Sequence, residues 1–192
     1  MLNWTLGFLE AIEIRDICMR FRLTGLTAAA LGSSGFGVTP AGAQTIDLSF
    51  TLPRLSVAEY HRPYVAVWLE KAGSAPRTLS ILYDVDKRNN AGAKWLRDVR
   101  LWWRAAGRML SVPADGVSGA TRPAGSHTLS FTAGRGGMPA LTPGNYVLVV
   151  EAAREAGGRE AVRLPFTWSG TQATASTSGK FELGRVSLNA RR

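Results

Sequence analysis

Cysteine is almost missing from this 192-residue chain, with Cys18 its sole example, and histidine is represented by His61 and His127 alone. That scarcity excludes a disulfide framework and thiolate metal centres, and a zinc site would need both histidines plus carboxylates. Charged residues make up only 19% of the chain, and acids are the scarcer sign, 14 against 23 Lys and Arg, for a net charge of +9. Long apolar runs are lacking too. The longest candidate, Leu23–Val38, is 16 residues and contains Thr24, Gly25, Ser33 and Ser34, short of the roughly 18–20 residues a spanning helix needs, so a multi-pass membrane protein is excluded. The 21 glycines and 9 prolines suit a turn-rich globular chain, and the length suits one domain.

What is present near the start is an export signal. Arg20 and Arg22 precede the apolar Leu23–Val38 stretch, which runs into Thr39-Pro40-Ala41-Gly42-Ala43, giving a basic n-region, an apolar h-region and an Ala-x-Ala cleavage site. Residues 1–43 are therefore expected to be a signal peptide. Met19 is the hypothesised translation start in place of Met1, because Glu10, Glu13 and Asp16 are out of place in an n-region. Cleavage before Gln44 removes Cys18 together with three basic and three acidic side chains, leaving 149 residues, 44–192, still at +9. A basic exported protein is expected to meet acidic partners or anionic surfaces, and no nucleic-acid-binding motif accompanies the charge.

The remaining chain reads as β-structure. Ile46, Leu48, Phe50 and Leu52 alternate with polar residues, the period of a strand with one buried face. Tyr64–Glu70 and Thr78–Asp84 flank a polar turn and read as a hairpin. Ser126–Thr132, Asn145–Ala152 and Ala161–Trp168 follow as strands, then a Ser/Thr/Gly/Ala linker over Ser169–Gly179, and a last short pair, Phe181–Leu183 and Val186–Leu188. Many short strands with turns between them predict an all-β, immunoglobulin-like β-sandwich. One segment differs: Trp95, Val99, Trp102 and Ala106 recur at helical spacing among Arg97, Arg100, Arg104 and Arg108. It predicts a short inserted helix over 94–106, with its aromatics in the core and its arginines in solvent as a docking surface.

The most specific local sequence is Asp115-Gly116-Val117-Ser118-Gly119-Ala120-Thr121. Asp-Gly and Ser-Gly are turn dipeptides, which predicts a surface loop presenting the Thr121 hydroxyl; the bland alternative is a pair of turns that merely enters the next strand. The heptad resembles the target of the FAD-dependent FMN transferase: Asp, two variable residues, Ser or Thr, Gly, Ala, then the Thr or Ser that is modified. All five specified positions match, a coincidence on the order of 3 × 10⁻⁴ for a chain of this size. The resemblance implies FMN joined to Thr121 through its phosphate, with Asp115, Ser118, Gly119 and Ala120 as recognition residues. Trp102 and Trp103 are expected to stack on the ring, and Arg104, Arg108 or Arg122 to pair with the phosphoester.

A second resemblance spans nearly the whole mature chain. Tyr60–Glu70, Trp95-Leu-Arg-Asp, Trp102-Trp103-Arg104, Asp115–Pro123 and Pro143–Glu155 are similar to a family of predicted periplasmic proteins of unknown function, associated with membrane flavin reductases and the FMN transferase. It implies a periplasmic electron carrier, not an enzyme, with those two proteins as partners. Pro143-Gly-Asn-Tyr146 also resembles the closing strand of the immunoglobulin-like domain in flagellar hook-capping proteins, which speaks for fold alone. Other chemistries fit poorly. Asp84-Val-Asp86 begins like a calcium loop, but Arg88 stands where a third oxygen ligand belongs. Ser118 lacks the Gly-x-Ser-x-Gly frame, since Ala120 replaces the second Gly. The rival from another class is an exported binding or structural module without flavin.

Overall fold

A computed structural model describes residues 42–192 other than Ala156. The expected signal segment lies outside the described residues, apart from its last two positions. Strand β1 (Thr45–Leu52) is followed by the hairpin β2 (Tyr64–Glu70) and β3 (Arg77–Tyr83), a helical segment, and the short β4 (Ser118–Ala120). Then come β5 (Gly125–Thr132), β6 (Gly144–Ala153), β7 (Arg159–Trp168), β8 (Gln172–Ser178) and β9 (Arg185–Arg191). They form a four-stranded sheet, β5-β1-β9-β8, and a five-stranded sheet, β4-β3-β2-β6-β7. All pairings are antiparallel except β3 with β4. The architecture is the all-β sandwich that the alternating patterns predict.

The main core lies between the sheets: Leu48, Phe50 and Leu188 from one, Val65, Val67, Leu148 and Leu164 from the other. The five-stranded sheet is buried on its outer face as well. There Tyr64, Ala66, Trp68, Ile81, Tyr83 and Val149 pack beneath Leu96, Val99 and Trp102 of the helical segment. Burial on both faces explains why β2 reads Tyr-Val-Ala-Val-Trp-Leu with no polar alternation. In β3 the phase shifts once. Val67 faces Ser80 and Trp68 faces Thr78, so Leu79 is an extra residue, a bulge that keeps it in the inner core while Thr78 turns outward to accept the Trp102 indole N–H at 2.9 Å. Among the described residues no helix is long and apolar enough to cross a membrane.

The short inserted helix expected near 94–106 is α1 (Arg100–Ala105), six residues long and flanked by a 3₁₀ stretch over Arg88–Asp98 and a 3₁₀ turn over Gly107–Met109; two other expectations need correction. Asn89 and Asn90 have left-handed φ, and Val99 breaks the run at ψ 71°, so the helical spacing marks the buried face correctly but not a continuous helix. The linker read over 169–179 contains β8, whose Ala173 and Ala175 pack on the core. Phe181–Leu183 forms no strand; the 179–184 loop wraps its backbone around a carboxylate of β7. Glu160 accepts the N–H groups of Lys180, Phe181, Glu182 and Leu183 at 2.6–2.9 Å.

Candidate functional site

The heptad is half turn and half strand, which corrects the expectation of a loop throughout. Asp115 and Gly116 are exposed in a tight turn, with the Val117 and Ser118 amides both donating to Ala114 O at 3.2 and 2.9 Å. Gly116 sits at φ +66°, and a side chain there would meet Gly136 Cα at 2.8 Å, so both conformation and space require glycine. The Ser118 hydroxyl is turned back to accept the Ala114 amide at 3.0 Å. Ser118–Ala120 then aligns parallel to Ile81–Tyr83 as the edge of the five-stranded sheet. Gly119 lies over Leu82, where a Cβ would come within 3.0 Å of a δ-methyl. The strand is fixed at its ends by Ile81 N–H to Val117 O, 2.9 Å, and Thr121 N–H to Tyr83 O, 3.2 Å.

Thr121 thus emerges where the edge strand ends. Its side chain is half-buried, and its hydroxyl donates to Asp84 Oδ1 at 3.3 Å, longer than the usual 2.5–3.0 Å or so for such a bond and therefore a loose restraint. The other Asp84 oxygen holds Lys87 Nζ at 2.8 Å. This hydrogen bond raises the Lys87 pKa. Tyr64 lies on the same side: burial first, then the Asp84 charge, pushes its phenol pKa up. The Tyr64 ring stands edge-on to Tyr83 at 6.3 Å, and Tyr83 donates to Asn90 Oδ1 at 3.3 Å while Asn90 Nδ2 reaches Val112 O at 3.0 Å. The segment on either side of α1 is in this way fastened to the end of β3 that receives Thr121.

The other predicted contacts separate. Trp102 is fully buried and offers no face to a surface ring. Its indole reaches Thr78, five residues from Tyr83 along β3, about 17 Å at strand rise. Trp103 is half-buried beside it, ring centroids 6.2 Å apart. Their role is core packing, because the outer face of the sheet needs a cover. Arg104 and Arg108 are exposed with Arg97 and Arg100 on that covering segment, and Arg122 alone is adjacent to Thr121 in the chain. His127 Nε2 lies 2.8 Å from Pro123 O, and His61 lies 3.1 Å from Glu59. Asp84 is a residue that sequence reasoning passed over, having weighed it only as a calcium ligand; its place directly after an apolar strand was the available signal.

A second concavity, of about 650 Å³, opens at the opposite end of the five-stranded sheet. Tyr146 stacks on Phe166 at 5.6 Å, and Lys71 Nζ sits 4.9 Å over its ring. Burial raises the Tyr146 pKa, but hydrogen bonds with Thr142 and Lys71 outweigh it and hold the phenol below its ordinary value.

Sequence comparison meets this geometry on a common span. The family model described as "Predicted periplasmic protein (DUF2271)" matches residues 45–185, from the first residue of β1 to the first of β9. The chain belongs to that family. The DUF2271 match covers β1 to β8, the helical segment and the heptad, and it agrees with the periplasmic location read from the export signal. No curated protein and no solved structure matches the chain.

Proposed function

We propose that this DUF2271 protein is a periplasmic electron carrier bearing one FMN, linked through its phosphate to Thr121. The carrying observation is the complete transferase heptad ending in a hydroxyl at the tip of an edge strand, held there by a single loose hydrogen bond. The residues present suit the group. Gly119 and Ala120 leave little bulk ahead of the hydroxyl, Arg122 follows it in solvent, and Lys87 offsets the Asp84 charge beside it. On attachment, Thr121 Oγ would form a bond to the FMN phosphorus of FAD as the bond to AMP breaks and AMP leaves, and the hydroxyl proton would pass to Asp84 Oδ1, which accepts it at 3.3 Å. The attached FMN supplies reversible two-electron chemistry, and the protein's part is to hold it in a compartment from which free cofactor diffuses away. A membrane flavin reductase is the proposed donor.

Co-expression with an FMN transferase in an export-competent host tests the proposal. Intact mass should show one added FMN on the wild type and none on Thr121→Ala, which keeps the fold because it removes a single weak hydrogen bond. Ser118→Ala should lower the yield in part, by loosening the turn at Ala114. A wild-type mass lacking FMN beside active transferase refutes the proposal. That result would favour the flavin-free binding module, for which the Lys71–Tyr146 concavity is the natural site, with room for a small aromatic or anionic ligand.

A further inference from the structure

Beside Thr121 the strand register brings three separate segments together. Leu52 pairs with Gly125, so the residues after β1 and those before β5 are neighbours. Tyr64 opens β2 next to Tyr83, whose carbonyl receives Thr121, so the segment before β2 arrives at the same end. Arg54, Leu55, Tyr60, Arg62, Pro123 and Ala124 line a groove of about 470 Å³ between them, within the usual range of about 300–1,000 Å³ for small-ligand sites. Tyr60 is 38% exposed, so its ring is open to a partner. Arg54 and Arg62 are exposed and make no ion pair among the described residues. Pro123 is fixed from behind by His127, which itself packs on Phe50 at 5.5 Å. An aromatic ring, an apolar floor and two uncommitted guanidinium groups make a bed for a planar, electron-accepting ring that becomes more negative on reduction.

We infer that this groove is the docking site of the flavin ring, with Tyr60 stacking on it and Arg54 and Arg62 facing its polar edge. The inference rests on Thr121 being the attachment point. Only Arg122 separates Thr121 from Pro123, at most about 7 Å of chain, well within the reach of an extended ribityl phosphate arm. The groove takes over the role expected of Trp102, which is buried elsewhere. Stacking on an electron-rich phenol quenches flavin emission, and cationic neighbours favour the reduced ring, so both contacts leave a measurable signature.

The test uses the flavinylated full-length protein after export, compared with Tyr60→Ala and Arg62→Glu, both at exposed positions. Intact mass is measured first, then steady-state emission, flavin anisotropy and midpoint potential. The groove predicts weak emission and high anisotropy in the wild type, a several-fold rise in emission with lower anisotropy in Tyr60→Ala, and a lower potential in Arg62→Glu, all at unchanged FMN mass. Full FMN mass with emission, anisotropy and potential indifferent to both substitutions overturns the groove while leaving attachment intact. Absence of FMN mass from the wild type overturns attachment, and the ring site with it.

Discussion

Two glutamates show how far single residues depend on groups distant in sequence. Glu160 lies on β7, and burial tends to raise its pKa, but four backbone N–H donors from the 179–184 loop outweigh burial and hold it below the ordinary carboxylate value. A depressed folded-state pKa contributes stability above the unfolded value that is lost as pH falls through the folded one. Glu160→Gln should therefore cost about 1–3 kcal/mol at neutral pH. Urea titrations at pH 7 and in the acid range should show the gap to wild type closing on acidification, and a constant gap would refute the charge-based account. Glu151 behaves oppositely. It is fully buried, burial raises its pKa despite the Trp102 and Leu101 amides it accepts, and its contribution is lost as pH rises through the raised value. Neither role was visible in sequence, because the partners are backbone groups 20–50 positions away. The proposed role of Thr121 could be read from sequence because the heptad is contiguous, and Gly116 was visible because a turn declares itself in a dipeptide.

Among elements, the strands were the most legible, since period-two burial is written directly into β1 and the flanking turns into β2 and β3. β8 escaped because Ala173, Ala175 and Thr177 face inward with too little apolar bulk to stand out from a linker. The helical segment was half legible. Its buried positions follow from spacing, whereas its fragmentation follows from two asparagines in left-handed conformation and from the absence of any side-chain cap at Val99. The cap is supplied from the sheet beneath: Glu151 accepts Leu101 N–H at 3.1 Å and Trp102 N–H at 2.8 Å. Glu151→Ala should strand both donors and empty a buried site, at about 2–4 kcal/mol. The loosening should be local. Red-shifted tryptophan emission with far-UV strand signal retained is the expected outcome, and cooperative loss of both together would show that the segment is no separable unit.

At the scale of the molecule, the charge of +9 is unevenly employed. Arg163 pairs with Glu70 at 2.6 Å, Arg154 with Glu182 at 2.8 Å, and Arg191 with Asp47, while Arg97, Arg100, Arg104 and Arg108 stay exposed on the segment covering the outer sheet face. Such a row attracts an acidic partner over about one Debye length, near 8–10 Å at ordinary ionic strength. Electron transfer from a reconstituted membrane reductase should therefore slow as salt rises, and charge reversal at Arg100 and Arg104 should flatten that dependence. Rates unaffected by salt would reduce the row to solubilising charge. The sandwich class could be read from composition and spacing. The meeting of Asp84 with Thr121 could not, because it depends on β4 aligning beside β3.

The three-residue strand β4 has a consequence for the order of events in the cell. It joins the sheet through one short parallel ladder, and among the described residues its far side has no neighbouring strand. Lifting it breaks a handful of hydrogen bonds, so its amides should exchange with solvent long before those of β2 or β6. Under the proposed attachment at Thr121, a transferase would take the extended segment from an already folded protein, and loading would not have to keep pace with export. Unloaded protein would then be a standing reserve, filled whenever FAD reaches the compartment.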